Sequence, residues 1–200
     1  MSEHSVIQKA NMARPRSPDK RDVILKAAGQ LFADEGLNAP TVRIAKAAGV
    51  AEGSIFTYFA SKDELINELY LELKGQLRAA VVLPPDTADL RECLWKAWHG
   101  YVSWGVAHPR EHQLLTVLAL SGRITDAAQA QALDAFGDVA DVLRQAMGLG
   151  ALRQQSPGFV GALMSGMADT TVDFIRNSPT DGDITCRDGF SAFWNAISHD

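Results

Sequence analysis

Residues 40–65, PTVRIAKAAGVAEGSIFTYFASKDEL, carry the feature that most restricts the fold, a glycine set between two short helical patterns. Over 41–48, Val42, Ile44, Ala45 and Ala48 recur at helical spacing and are expected to face a core. Gly49 ends that helix, because the chain there needs the left-handed region and glycine has no Cβ to clash. Val50 is the expected buried residue of the turn. A second short helix is expected over about 51–59, with Ile55 and Phe59 four apart on its inner face. Its outer face offers Glu52, Gly53, Ser54, Thr57 and Tyr58, small or hydrogen-bonding groups suited to lie against a duplex. Two short helices joined at a wide angle by such a turn form a helix-turn-helix, which places its second helix in a DNA major groove.

The ordered positions extend beyond this motif. Ala27, Ala28, Leu31, Phe32 and Gly36 precede it, and Thr41, Ile44, Ala45, Ala48, Gly49 and Val50 fill its first half. Gly53, Phe56, Tyr58, Phe59, Lys62, Leu65 and Leu69 follow in register. Across 21–69 this string resembles the TetR (tetracycline-repressor) family of bacterial transcriptional regulators. Three positions depart from the family's habit: Ala51 replaces a capping serine, Phe56 a commoner tyrosine, and Pro40 a threonine or serine. Pro40 costs nothing at a helix start, whereas the missing cap at Ala51 costs about 1 kcal/mol.

By resemblance, Thr41, Tyr58 and Lys62 match phosphate-contacting positions, and a hydroxyl, a phenol and an ammonium are all suitable donors. Arg43, Glu52, Ser54, Phe56 and Thr57 are the candidates for the base-edge face. Gly53 allows close approach to the DNA backbone. The competing reading packs Phe56 and Tyr58 into a three-helix core. Ile55 and Phe59 already fill that role, so Tyr58 is expected at the surface and Phe56 is left open.

The net charge of −5 argues against a nucleic-acid binder until it is divided. Residues 1–62 hold nine Lys/Arg against six Asp/Glu, a net +3, and residues 63–200 hold ten against eighteen, a net −8. That asymmetry suits a reading head on a body with other work. A flexible basic tail is expected over 1–16, with Arg14 and Arg16 as an arm, then the DNA-binding domain over 17–62 and a ligand-binding and dimerisation domain over 63–200. Cys93 and Cys186 show neither CxxC nor metal spacing, and with no apolar run of spanning length the chain is expected to be cytoplasmic.

The expected fold class is all-α, an N-terminal helix-turn-helix head of three helices on a C-terminal antiparallel bundle. Ser17-Pro18-Asp19 starts helix one, and Ser61-Lys62-Asp63-Glu64 is a capping box opening a long helix to about residue 82. Leu65, Ile66, Leu69, Tyr70, Leu73 and Leu77 form the apolar stripe of that helix. Further helices are expected over 88–107, 110–121, 126–147, 157–177 and 183–198.

In the body, Trp95, Trp98 and Val102 share one helical face, while Tyr101, Trp104 and His108 lean toward another. Such aromatics are usually core, yet bundle interiors also hold ligands. The family resemblance implies a small effector there, placed near Trp95, Trp98, Tyr101 and Val102 and faced by Met164, Met167 and Phe174. It also implies a homodimer through the last two helices, where Gly161, Ala162, Ser165, Gly166 and Ala168 permit close approach and Phe190, Phe193, Trp194 and Ile197 are apolar. The alternative for those residues is packing inside one chain. His108 and His112 straddle Pro109, so no metal site is expected, and no cofactor is implied. With no phosphate loop, nucleophile elbow or paired catalytic carboxylates, the chain is not expected to be an enzyme. The expected function is a ligand-responsive regulator, a repressor, binding a palindromic operator as a homodimer. The alternative is a helical small-molecule carrier or scaffold whose head does not read DNA.

Overall fold

The structure, a computed structural model, describes residues 18–84, 89–148 and 152–198. The expectations for Arg14, Arg16 and the Ser17 cap lie outside these residues. Among the described residues there are ten α-helices, one short 3-10 turn (Pro179–Asp181) and no strand. The head is built from α1 (Pro18–Glu35), α2 (Thr41–Ala47) and α3 (Glu52–Tyr58). Then come α4 (Lys62–Ala80), α5 (Leu90–Ala107), α6 (Pro109–Leu120), α7 (Asp126–Asp134), α8 (Gly137–Met147), α9 (Pro157–Asn177) and α10 (Gly182–Ile197).

Gly36 and Gly49 lie at φ 82° and 64°, so each supplies the left-handed residue that ends a head helix. Ile44, Ala45, Ile55 and Phe59 are buried as the spacing predicts. Val42 is not; it is 49% exposed. Two residues turn a helix by about 200°, so Val42 points away from the side that Ile44 buries. Val50 is half-buried rather than enclosed.

The cap of α4 forms as expected, with Ser61 Oγ accepting from the Glu64 N–H at 3.0 Å. The Glu64 carboxylate reaches back to the Ala60 N–H, one residue beyond the usual capping box. All six residues of the α4 stripe are buried. They belong to one continuous core that runs from Ile24, Phe32 and Ile55 in the head through α4 to Leu114, Leu118 and Ala132. A second core joins α5, α8, α9 and α10 around Trp98.

One expected helix is corrected. Residues 126–147 do not form one helix: Phe136 leaves helical geometry at φ −107° and ψ 20°, separating α7 from α8. Arg78 of α4 makes the break favourable, since its Nε donates to the Ala135 carbonyl at 2.7 Å and its Nη2 to Asp138 at 2.6 Å. Its guanidinium also lies 5.8 Å from the Phe136 ring centre. The apolar side of α10 packs within the chain, the alternative that the sequence left open for these residues. Phe190, Phe193, Trp194 and Ile197 are buried, Trp98 stacks on Phe193 at 6.1 Å, and Trp98 Nε1 donates to the Cys186 carbonyl at 3.0 Å. On α9, Phe159, Leu163 and Phe174 are exposed along one stripe, and on α10 Ile184 is exposed.

Candidate functional site

The outer face of α3 is assembled by burying its opposite side. Ile55 and Phe59 enter the head core, which leaves Glu52, Gly53, Phe56 and Thr57 exposed and Ser54 half-buried. A Cβ at Gly53 would meet nothing within 4 Å, so the helix start presents bare backbone outward. Thr57 Oγ1 donates to the Gly53 carbonyl at 3.3 Å. Ala51, the N-cap, makes no side-chain cap bond, as its methyl dictates.

Phe56, whose place the sequence left open, is the more exposed of the two aromatics, and Tyr58, expected at the surface, is the less exposed. Phe56 is 49% exposed, while Tyr58 is half-buried and packs on the head core. Tyr58 neighbours Phe59 in sequence and sits on the shoulder of the buried side. Thr41 begins α2 half-buried, and exposed Arg43 forms an ion pair with Glu35 at the end of α1. Lys62 begins α4 with its ammonium 5.7 Å from the Phe32 ring centre. Partial burial lowers its pKa, Arg123 lowers it further, and Asp63 acts against both.

Arg123, from the α6–α7 connection, ties head to body. Its Nε donates to Asp63 at 2.8 Å and its Nη1 to the Leu37 carbonyl at 3.3 Å. Asn67 adds a donor to the Arg123 carbonyl and accepts from the Thr125 N–H. Arg21–Glu68 and Arg110–Asp34 link α1 to α4 and α6.

The body holds a cavity of about 460 Å³ between α4, α5, α7, α8 and α9. It gathers Trp98, Tyr101 and Met164 of the seven expected ligand residues. The other four lie elsewhere. Trp95 packs edge-on against Phe190, Val102 is buried in the second core, and Phe174 is 65% exposed on the outside. Met167 borders a shallow groove between α9 and α10. The reason is angular, because the cavity takes only the side of α5 and α9 that faces α4.

Three walls escaped the sequence reading. Tyr70 and Lys74 sit four apart on α4, and Phe136 enters only because of the α7–α8 break. The Lys74 ammonium lies 5.7 Å from the Tyr70 ring centre and 5.9 Å from that of Phe136. Burial lowers its pKa, while Asp169 acts to raise it. Tyr101 donates to Asp169 Oδ1 at 2.5 Å, and the same oxygen lies 2.9 Å from Nε2 of buried His112. Burial, then the Asp169 charge, pushes the Tyr101 phenol far above its ordinary range. His112 is thus held by a carboxylate, and no group of three metal-ligating side chains occurs among the described residues.

Residues 24–69 match the family described as bacterial regulatory proteins, tetR family. Over 82 residues the chain is 44% identical to the HTH-type transcriptional repressor KstR2 of Mycolicibacterium smegmatis, covering 39% of this chain and 40% of that one. Over 54 residues it is 41% identical to the fatty acid metabolism regulator protein of Bacillus subtilis, covering 26% and 28%. The alignments therefore span well under half the length of these relatives. A tetR family transcription regulator structure from Shewanella sp. PV-4 matches with a TM-score of 0.81 at 26% identity, over 92% of this chain and 100% of that one. Another, from Marinobacter aquaeolei VT8, matches with a TM-score of 0.79 at 23% identity over 90% and 96%. Residues 24–69 thus match the tetR family of bacterial regulatory proteins, and over 92% of its length the chain shares the fold of a solved tetR family transcription regulator.

Proposed function

We propose that the protein is a ligand-responsive transcriptional repressor that binds a palindromic operator as a homodimer and releases it when an apolar or aromatic effector enters the body. The observation that carries this reading is the outer face of α3. It keeps Phe56 49% exposed beside Glu52, Gly53 and Thr57, and none of the described residues covers it. An exposed phenyl beside short polar groups suits a major groove, where it meets thymine methyls. Thr41, Arg43, Tyr58 and Lys62 flank that face as phosphate donors, with Ser54 on its edge.

A single short helix contacts too few base pairs for useful affinity, so two heads are needed. The stripe of Phe159, Leu163 and Phe174 on α9, with exposed Ile184 on α10, is the surface that would join two copies. The two-fold axis of such a dimer sets the palindrome. Coupling would run through α4, which begins at the head and lines the cavity with Tyr70, Lys74 and Leu77. Tyr70 lies eight residues from Lys62, about 12 Å along the helix. An effector that prefers one tilt of α4 shifts the heads only by its difference in affinity between the two states. The relatives and solved structures above are named regulators and repressors rather than enzymes, in keeping with a binding function. Among the described residues no helix is long and apolar enough to cross a membrane.

The test is selection from a random duplex pool at near-physiological salt, followed by sequencing of the retained duplexes. Enrichment of a palindrome is expected, with retention lost in Phe56→Ala combined with Thr57→Ala. Absence of enrichment from folded protein, before and after refolding to strip any bound molecule, refutes the reading.

A further inference from the structure

The cavity has a lopsided charge. Among its described lining residues Lys74 is the one charged side chain, and the rest are apolar, aromatic or small. The ammonium faces two aromatic rings, and no carboxylate of the described residues lies within ion-pairing distance of it. Asp169 is near enough to act on Lys74 electrostatically, but its Oδ1 accepts from Tyr101 and sits against His112. A cation withdrawn from water without a paired counter-ion carries an unmet desolvation cost, which an anion brought into the same space would offset.

Space is provided deliberately on the facing helix. Gly158, Gly161, Ala162 and Ser165 of α9 line the cavity. A Cβ at Gly158 would touch nothing, and one at Gly161 would reach only Leu143 at 3.9 Å. The small residues of this α9 face therefore hold volume open, whereas the outer stripe of the same helix carries Phe159, Leu163 and Phe174.

We infer that the cavity selects a monocarboxylate with an apolar body, its carboxylate received by the Lys74 ammonium and its body by Trp98, Leu77, Leu143 and Met164. This rests on the reading of the body as an effector site and adds the ligand's charge to it. One ammonium balances one negative charge. A phosphate or any polyanionic group would remain undercompensated there. The phenol of Tyr70, on the helix turn preceding Lys74, is a second donor at the same wall. Volume adds a limit, since about 460 Å³ lies in the range of sites that enclose one small organic ligand.

The experiment is calorimetric titration of the full chain with two acids, naphthylacetate and decanoate, each beside its neutral amide. Wild type is expected to bind at least one acid about tenfold or more tightly than its amide, the worth of a charge-assisted bond. Lys74→Met should abolish that preference while keeping the amide's affinity, an outcome that a merely unfolded variant would not give. Gly161→Leu, which fills the cavity and leaves Lys74 in place, should weaken acid and amide alike. If wild type binds amide as well as acid, or Lys74→Met keeps the preference, the anion assignment is overturned and the effector site stands. If neither acid nor amide binds wild type, both the assignment and the effector-site reading fall.

Discussion

Gly100→Ala tests the packing that forms the cavity's α4–α5 wall. Gly100 faces the end of α4, and an added Cβ there would run into the Ala80 carbonyl oxygen, with the Ala80 carbon at 3.1 Å and Val81 Cα at 3.2 Å. Backbone cannot rotate aside as a side chain does, so relief requires α5 to withdraw from α4 by about 1 Å. Such overpacking costs about 1–3 kcal/mol, and contact with backbone puts this site at the upper end. Alanine's better helix propensity returns about 1 kcal/mol. The net loss is therefore about 2 kcal/mol, a fall of roughly 4–8 °C in Tm for a chain of this length. Gly75→Ala is the control, a substitution inside α4 whose Cβ would meet nothing within 4 Å. There propensity acts alone, and Tm should rise by roughly 1–4 °C. Thermal unfolding followed by helical circular dichroism reads both. A Gly100→Ala protein as stable as wild type, or two variants that move together, would refute the claim that α4 and α5 touch through backbone at this point.

Two further outcomes follow from burial on α3 and in the body. Phe56→Ala should leave Tm within a degree or so, since the ring is half exposed, whereas Ile55→Ala, fully enclosed, should cost about 2–5 kcal/mol. Comparing their melting curves with their duplex retention separates a reading residue from a core residue. Cys93 and Cys186 are both buried, and burial pushes both thiols up, helped at Cys93 by Glu92 and Asp89. Native protein should then resist alkylation at neutral pH and react only after denaturant is added. The unfolded chain releases these protons first, so the thiols' contribution to stability falls as pH rises past the ordinary thiol range. Rapid native alkylation at either position would contradict the packing described.

The head was legible because its constraints are local. A glycine at a left-handed turn, Ile55 and Phe59 four apart, and the Ser61 hydroxyl ahead of Glu64 each act within one or two turns of chain. Periodicity likewise located the α4 stripe and the ends of α9. It did not separate Phe56 from Tyr58, because both border the buried side and the choice depends on how the head packs. The break at Phe136 was hidden for a similar reason. Its partners are Arg78 and Lys74, about sixty residues earlier, and only the folded chain brings a guanidinium to the Ala135 carbonyl. Lys74 itself reads as an ordinary polar position between apolar neighbours. Its significance comes from the Phe136 ring at the α7–α8 break and the small residues of α9, which join the Tyr70 ring of its own helix around it.

The position of Lys74 bears on how a ligand would be felt at the head. Lys74 and Tyr70 belong to the same continuous helix that Ser61 caps, Arg123 grips through Asp63, and Arg21 holds through Glu68. A ligand resting on α5 and α9 alone would gain affinity without any reason to move α4. One that pairs with Lys74 draws part of its affinity from α4 and prefers whichever tilt of that helix brings the ammonium nearer. Only this difference between tilts can shift the equilibrium, and a tenfold preference shifts it at most about tenfold. A neutral isostere that fills the same volume should therefore bind and yet release DNA less completely than the acid. Affinity measured without DNA would not reveal that distinction; retention of operator at saturating acid and at saturating amide would.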